Sequence, residues 1–242
     1  MGYSGITADA MLLLAENRLR DSRDYYEEHK AQINAQVIEP MRQLAQTAGE
    51  LMLEHDPLVQ VMPTRMVSRV RRDTRFTKDK SLYRDHVWLT VGRGKKEWPL
   101  HPCFWFEVYP GGYGAGVGYW YQPPLFAEHW RAWLIENAGS AIPAIAAAEK
   151  AGFLLTGEEY KKPKPGEAPP ELLRFMLKKE IYFLRTKTDF PALAKQTFPK
   201  RLCDDYIKLL PLYDCLTAIS DSYIAQNPGA VESLLSSMRN RG

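Results

Sequence analysis

Cysteine is scarce in this chain. Three occur in 242 residues, Cys103, Cys203 and Cys215, and no two form a CxxC pair. So few, and an odd number, exclude a disulfide framework and fit a reducing compartment. Long apolar runs are missing too: none approaches the roughly 20 residues that a membrane span requires. The stretch Met11 to Ala15 is too short for a signal-peptide core, and Asp9 precedes it where basic residues belong. A cytoplasmic protein without membrane attachment is the expectation. The local motifs of several chemistries are absent as well: there is no HExxH, no GxSxG elbow and no P-loop. The five histidines (His29, His55, His86, His101, His129) are scattered, and His101 and Cys103, which flank Pro102, lack a second ligand pair. Neither a metal nor a cofactor is expected.

What is present describes a well-packed protein. Apolar residues make up 45% and charged residues 25%, and six Trp, 13 Tyr and nine Phe argue against disorder. The length allows a sizeable buried core. A pI near 8.6 is too mild by itself to imply nucleic acid.

Hydrophobic periodicity divides the chain into three stretches. Residues 1–55 read as helical. Thr7 suits the N-cap of a helix carrying Met11, Leu12 and Leu14, and Asp21 or Ser22 suits the cap of a second, with Asp24 in its first turn. Pro40 marks the start of a third helix or a kink, before Leu44, Ala48, Leu51 and Met52. Residues 65–121 read as mainly β. Val67 to Asp73 and His86 to Val91 suggest strands, and Phe104, Phe106 and Val108 alternate with Trp105, Glu107 and Tyr109. Pro110-Gly111-Gly112 supplies a turn into a returning strand over Tyr113 to Tyr121. Tight turns between neighbouring strands imply antiparallel pairing.

Residues 123–242 read as mainly helical. Phe126, Trp130, Trp133 and Leu134 form an apolar face with Gly139 as its stop, and Ile142, Ile145 and Ala146 begin a second helix. The proline-rich run Lys161 to Pro170 reads as a long surface loop, Leu172 to Leu177 as a helix, and Ile181 to Thr186 as a strand. Leu202, Tyr206, Leu209, Tyr213 and Leu216 form a final helical stripe, interrupted at Pro211. The expectation is a single α+β domain over 1–242, with a central antiparallel sheet flanked by N-terminal and C-terminal helices.

The segment Arg65 to Arg84, RMVSRVRRDTRFTKDKSLYR, stands out. It holds six Arg and two Lys against two Asp, a net +6 in a protein whose total is +3. Like charges crowded together cost free energy unless opposite charges sit among or over them. On a strand, Arg69, Arg71 and Asp73 would share one face, with Val70 and Arg72 on the other. Beyond Asp73 the chain reads as a loop packed by Phe76. Arg is suited to bidentate capture of carboxylate or phosphate, and Lys supplies a compact point charge.

The run RVRRDTRFTKDKSLYR resembles an uncharacterised bacterial and fungal domain family whose typical form is R-I-x-R-D-x-R-F-S-K-D-K-x-P-Y-K. Arg69, Arg72, Asp73, Arg75, Phe76, Lys78, Asp79, Lys80 and Tyr83 fall on matching positions. Thr77 replaces the usual Ser, Arg84 the usual Lys, and Leu82 stands where the family has Pro. The similarity extends to Asp24-Tyr25-Tyr26, to FWFEVYPGGYGAGVGYW and to ELLRFMLKKEIYFL, so it covers nearly the whole chain. The resemblance implies a defined site and one folded unit, and brings no established activity.

Three readings of the basic segment follow. In the first it binds an anionic small molecule bearing phosphate or carboxylate, with contacts from Arg69, Arg72, Arg75, Lys78, Lys80 and Tyr83. Asp73 and Asp79 orient the cations there, and either is a weak catalytic candidate as general base. In the second the charges pair internally as a scaffold that pins a loop to a sheet. The third, less favoured, is a nucleic-acid interface. Other candidates are weaker. Magnesium at Asp73 and Asp79 is opposed by the surrounding cations, and Ser81 meets a base only if His86 approaches it in space. The alternating Gly112, Gly114, Gly116 and Gly118 lead into a strand rather than a helix, so they fit a bare strand face better than a nucleotide loop. That face allows another backbone to come close, or floors a pocket walled by the basic loop. The aromatic residues Trp88, Trp98, Trp105 and Trp120 read as sheet-on-helix packing. Whether the protein catalyses a reaction or self-associates is not written in the sequence.

Overall fold

The computed structural model describes residues 2–75, 77–94, 100–162 and 167–240, with the side chains of 237–240 excepted. Phe76, Trp98 and the centre of the proline-rich loop, 163–166, lie outside the described residues. The fold is α+β. Five strands, β1 (Val87–Gly92), β2 (Pro102–Tyr109), β3 (Gly112–Tyr119), β4 (Leu154–Thr156) and β5 (Tyr182–Lys187), form an antiparallel sheet in the order β1-β2-β3-β5-β4. The chain divides into two compact units. One comprises 1–91, 105–115 and 186–204, the other 92–104, 116–185 and 205–242.

In the first unit, α1 (Ala8–Arg20) begins as expected, with the Thr7 side chain accepting from the Ala10 N–H at 3.2 Å. Ser22 caps α2 (Arg23–Ile33). Asp21 instead ends α1 in the left-handed conformation, φ 46°, with its N–H on the Asn17 carbonyl. The helix does not stop before Pro40. A π-helical turn, Asn34–Ile38, joins α2 to α3 (Glu39–His55). Proline has no N–H to donate and crowds the preceding turn, so a widened turn just before it is a way to pass without a break. Ile6, Leu14, Ile33, Val37, Met41 and Leu44 are all buried without exposure. A short α4 (Pro63–Met66) then delivers the chain to the basic segment.

Val67 to Asp73 is not a strand. Only isolated bridges form, Val67 to Leu89 and Arg71 to Tyr83, supported by N–H donations from Ser68 to Trp88 O, Arg72 to Leu82 O and Arg84 to Val70 O. The expected alternation nonetheless holds: Val70 is buried, Arg69, Arg71 and Asp73 are exposed, and Arg72 is half-buried. In β2, Phe104, Phe106 and Val108 are buried, while Trp105, Glu107 and Tyr109 are half-exposed. Phe106 packs with Tyr113 and Phe198 at centroid distances of 5.8 and 5.6 Å.

In the second unit, α5 (Pro124–Glu136) and α6 (Ala138–Lys150) are separated at Asn137, not Gly139, which sits in the first turn of α6. Leu172 to Leu177 forms not an α-helix but a 3-10 segment, Pro170–Leu177. Residues 190–193 form α7 (Phe190–Leu193), a short turn of helix in the first unit. The last long helix, α8 (Phe198–Gln226), continues through Pro211, and α9 (Ala230–Asn240) follows. Interior proline costs about 3 kcal/mol. Tyr206, Leu209, Leu212, Tyr213, Leu216 and Ile219 are buried on both sides of it, each contributing about 1.5–3 kcal/mol of apolar burial, which outweighs that cost. Phe104 packs against Tyr206 and Tyr213 at 4.6 and 5.1 Å. Among the described residues, no helix is long and apolar enough to cross a membrane.

The bare face of β3 is used for close approach. A Cβ at Gly118 would lie 2.5 Å from the Tyr182 Cβ and 2.7 Å from its Cα, and one at Gly112 would lie 2.2 Å from the Lys187 carbonyl oxygen. Gly139, in contrast, has nothing within 4 Å of a Cβ. Gly118→Ala is therefore expected to cost about 1–3 kcal/mol by forcing β3 and β5 apart. Gly139→Ala should gain up to about 1 kcal/mol from helix propensity. Urea unfolding of the two variants beside the parent protein tests both signs.

Candidate functional site

The basic segment is shaped first by its own carboxylates. Asp79 accepts from Arg72 Nη1, from Arg18 Nη2 of α1 at 3.3 Å, and from the Ser81 N–H and hydroxyl at 3.0 and 2.7 Å. These bonds, led by the Ser81 N–H and then Arg72, hold its carboxyl well below the ordinary carboxylate range. Asp73 takes a two-pronged contact from Arg75, Nε at 3.0 Å and Nη2 at 2.7 Å, plus the Arg75 N–H at 3.2 Å. The Arg75 bonds bring its carboxyl down to about 2. Lys80 Nζ donates to the Thr74 carbonyl at 2.8 Å, and Thr77 Oγ1 to the Asp79 carbonyl at 2.7 Å. The loop between Asp73 and Ser81 is thus closed on itself by short-range polar contacts.

The loop is also tied to the helices. Asp21 Oδ1 accepts the N–H of Leu82 at 2.7 Å and of Tyr83 at 3.3 Å. The Tyr83 ring, 2% exposed, stacks on Tyr26 at 4.7 Å. Burial pushes its phenol pKa up. Arg84 lies half-buried with Nη1 on the carbonyls of Arg69 and Arg71, at 2.9 and 3.0 Å, and its guanidinium over the Trp88 ring at 5.0 Å. Burial, then the charges of Arg72 and Arg69, lower its pKa.

Two adjoining clefts open beside this framework. The first, about 220 Å³, is lined by Arg65, Arg69, Arg71 and Arg84, with Trp88 and a single carboxylate, Asp73. Its lining charges come to +3. Among the described residues, the guanidinium groups of Arg65, Arg69 and Arg71 form no ion pair with a carboxylate. The second, about 380 Å³, carries Arg18, Arg72 and Arg84 against Asp73, Asp79 and Asp85, together with Thr77 and His86. Its fixed charges balance, and Asp73 and Arg84 line both clefts.

The residues singled out in the sequence are distributed unevenly over this geometry. Arg69 faces the arginine cleft, while Arg72 is 18% exposed and held by Asp79 and Ser81 beside the balanced one. Arg75, 72% exposed, pairs with Asp73 and lines neither, and neither do Lys78 and Lys80. Tyr83 lines the balanced cleft from its buried position. Asp73 and Asp79 act here as acceptors that hold cations. The sequence reading passed over Arg65, Arg71 and Arg84 as cleft residues, although the alternation of Arg69 and Arg71 about Val70 was a signal for the second. It also passed over Asp21 and Arg18, which reach the segment across 61 residues.

Other candidates are engaged elsewhere. Ser81 Oγ is spent on Asp79, and His86 Nδ1 meets Asp85 Oδ1 at 2.8 Å, so the two do not pair. No glycine of the β3 series lines either cleft. Among the described residues, no three His, Cys, Asp or Glu side chains are grouped to hold a metal ion.

A model of conserved hypothetical proteins, DUF2461, matches residues 9–215. The chain belongs to the DUF2461 family. No curated protein and no solved structure gives a significant match. The span matched in this DUF2461 chain takes in α1 from Asp9, the whole basic segment, all five strands and α8 as far as Cys215.

The acid dependence of the loop follows from its two depressed carboxyls. Each favours the folded state in its ionised form, so the contribution is complete above the ordinary carboxylate range and declines as pH falls from about 4 towards 2. Carboxyl titration by NMR should place the Asp73 midpoint near 2 and that of Asp79 lower still. In Asp79→Asn, stability at neutral pH should drop, and its further loss between pH 4 and 2 should be shallower than in the parent.

Proposed function

We propose that this protein binds a small anion, phosphate- or carboxylate-bearing, in the cleft formed by Arg65, Arg69, Arg71 and Arg84. The observation that carries the reading is the charge of that lining: four guanidiniums facing one carboxylate. That carboxylate, Asp73, is already engaged by Arg75, which lies outside the cleft. Guanidinium groups left without a carboxylate in a concave site suit two-pronged capture of an oxyanion. Of the contacts expected from the sequence, Arg69 belongs to this cleft. Arg72, Arg75 and Lys80 support it, through the ion pairs and the Lys80–carbonyl bond that fix the loop.

The internal-pairing reading has its own support in the Asp79 and Asp73 contacts, which account for Arg72, Arg75 and Arg18. The two readings divide the segment between them: paired charges give shape, and the unpaired arginines of the first cleft give affinity. For nucleic acid, the small cleft and the internal pairing of Arg72 and Arg75 are unfavourable.

Inorganic sulfate or phosphate at millimolar concentration should raise the melting temperature of the protein. The paired substitution Arg69→Ala with Arg71→Ala should abolish that rise while leaving the circular dichroism spectrum intact, because both side chains are exposed. Arg75→Ala should retain most of it. A melting temperature insensitive to these anions would refute the reading. Tight, steeply salt-dependent association with oligonucleotides would favour the nucleic-acid alternative.

A further inference from the structure

The balanced cleft shares Asp73 and Arg84 with the arginine cleft, so a ligand larger than a bare oxyanion extends into it. Its walls differ in kind. Three arginines offset three aspartates, so the space neither attracts nor repels a net charge. Its walls nevertheless keep hydrogen-bond acceptors that the arginines do not occupy. A carboxylate has about four lone-pair positions, and among the described residues Asp85 accepts one hydrogen bond, from His86 Nδ1.

His86 is positioned from several sides. Asp85 receives its Nδ1–H, its ring stacks on Trp88 at 5.6 Å, and Nε2 stands 3.9 Å from Glu107 Oε1 of β2, too far for a hydrogen bond. Burial raises the Glu107 pKa, with the His86 charge opposing. Arg18 and Arg72, each bound to Asp79, line the same cleft. With Nδ1 committed as donor, the neutral ring has its acceptor at Nε2. An apolar ligand body would strip water from these groups without replacing its hydrogen bonds. A body rich in hydroxyls donates to the carboxylates and to Nε2.

We infer that the ligand is a polyhydroxylated anion, such as the phosphate ester of a sugar or polyol. Its charged group lies in the arginine cleft and its hydroxyls in the balanced cleft, donating to Asp85 and to His86 Nε2. This rests on the anion reading above and adds the chemistry of the ligand body.

The test is calorimetric titration at pH 7.5 with three probes: inorganic phosphate, a hexose 6-phosphate, and phenyl phosphate as an apolar body of similar size. The hexose phosphate is expected to bind about tenfold more tightly than either of the others, the gain of one or two charge-assisted hydrogen bonds. In His86→Ala, and separately in Asp85→Ala, the ratio of hexose phosphate to inorganic phosphate affinity should fall towards one. Equal affinities for hexose phosphate and phenyl phosphate in the parent, or a ratio that survives both substitutions, would overturn the inference and leave anion binding standing. If none of the three probes binds, the anion reading itself fails.

Discussion

The carboxylate of Asp79 accepts from Arg72, Arg18 and the Ser81 N–H and hydroxyl, and the shape of the basic segment depends on this convergence. Without it the segment would be a run of like charges with little reason to hold one conformation. With it, Arg72 is pulled down beside Ser81, and α1 is fastened to a loop that lies far along the chain. The exposed setting limits what any one of these ion pairs is worth. Their effect comes from converging on one acceptor, together with the Asp21 contacts to Leu82 and Tyr83 and the Tyr26–Tyr83 stack.

The same arrangement sorts the cations into two groups. Those bonded to aspartate or to backbone carbonyls, namely Arg18, Arg72, Arg75, Lys80 and Arg84, are fixed in place by the protein. Arg65, Arg69 and Arg71 form no such bonds among the described residues, and they share a cleft with the fixed Arg84. A binding surface of this kind is pre-organised on one side and adjustable on the other, which lowers the ordering cost when an anion arrives.

Much of the fold was legible because its signals are local. The alternation about Phe104, Phe106 and Val108 follows from the period of a strand with one face in the core, and the Thr7 cap needs only three residues to declare itself. Val67 to Asp73 misled for a physical reason: it has the alternation of a strand but only isolated bridges, because Tyr83 and Leu89 offer partners at single points. Pro211 looked like a break because a propensity rule cannot weigh the aromatic and leucine burial on either side of it. The site was legible as a place, since charge density and residue order are local properties. Its division into paired and unpaired arginines was not, because Asp73 and Asp79 have several arginines nearby in sequence and only the folded loop selects Arg75 for one and Arg72 for the other. The anchors Arg18 and Asp21, which help set that loop, lie 61 residues away.

Asp21 holds two positions at once. Its backbone sits at φ 46° to end α1, and its side chain accepts two N–H groups of the basic segment. Glycine would relieve the backbone but remove the acceptor, and glutamate would keep a charge while fitting the left-handed turn poorly. Only asparagine comes near to satisfying both demands. The position is therefore a bottleneck for sequence drift: a helix stop and a loop anchor, elsewhere free to vary separately, are here forced to change together or not at all.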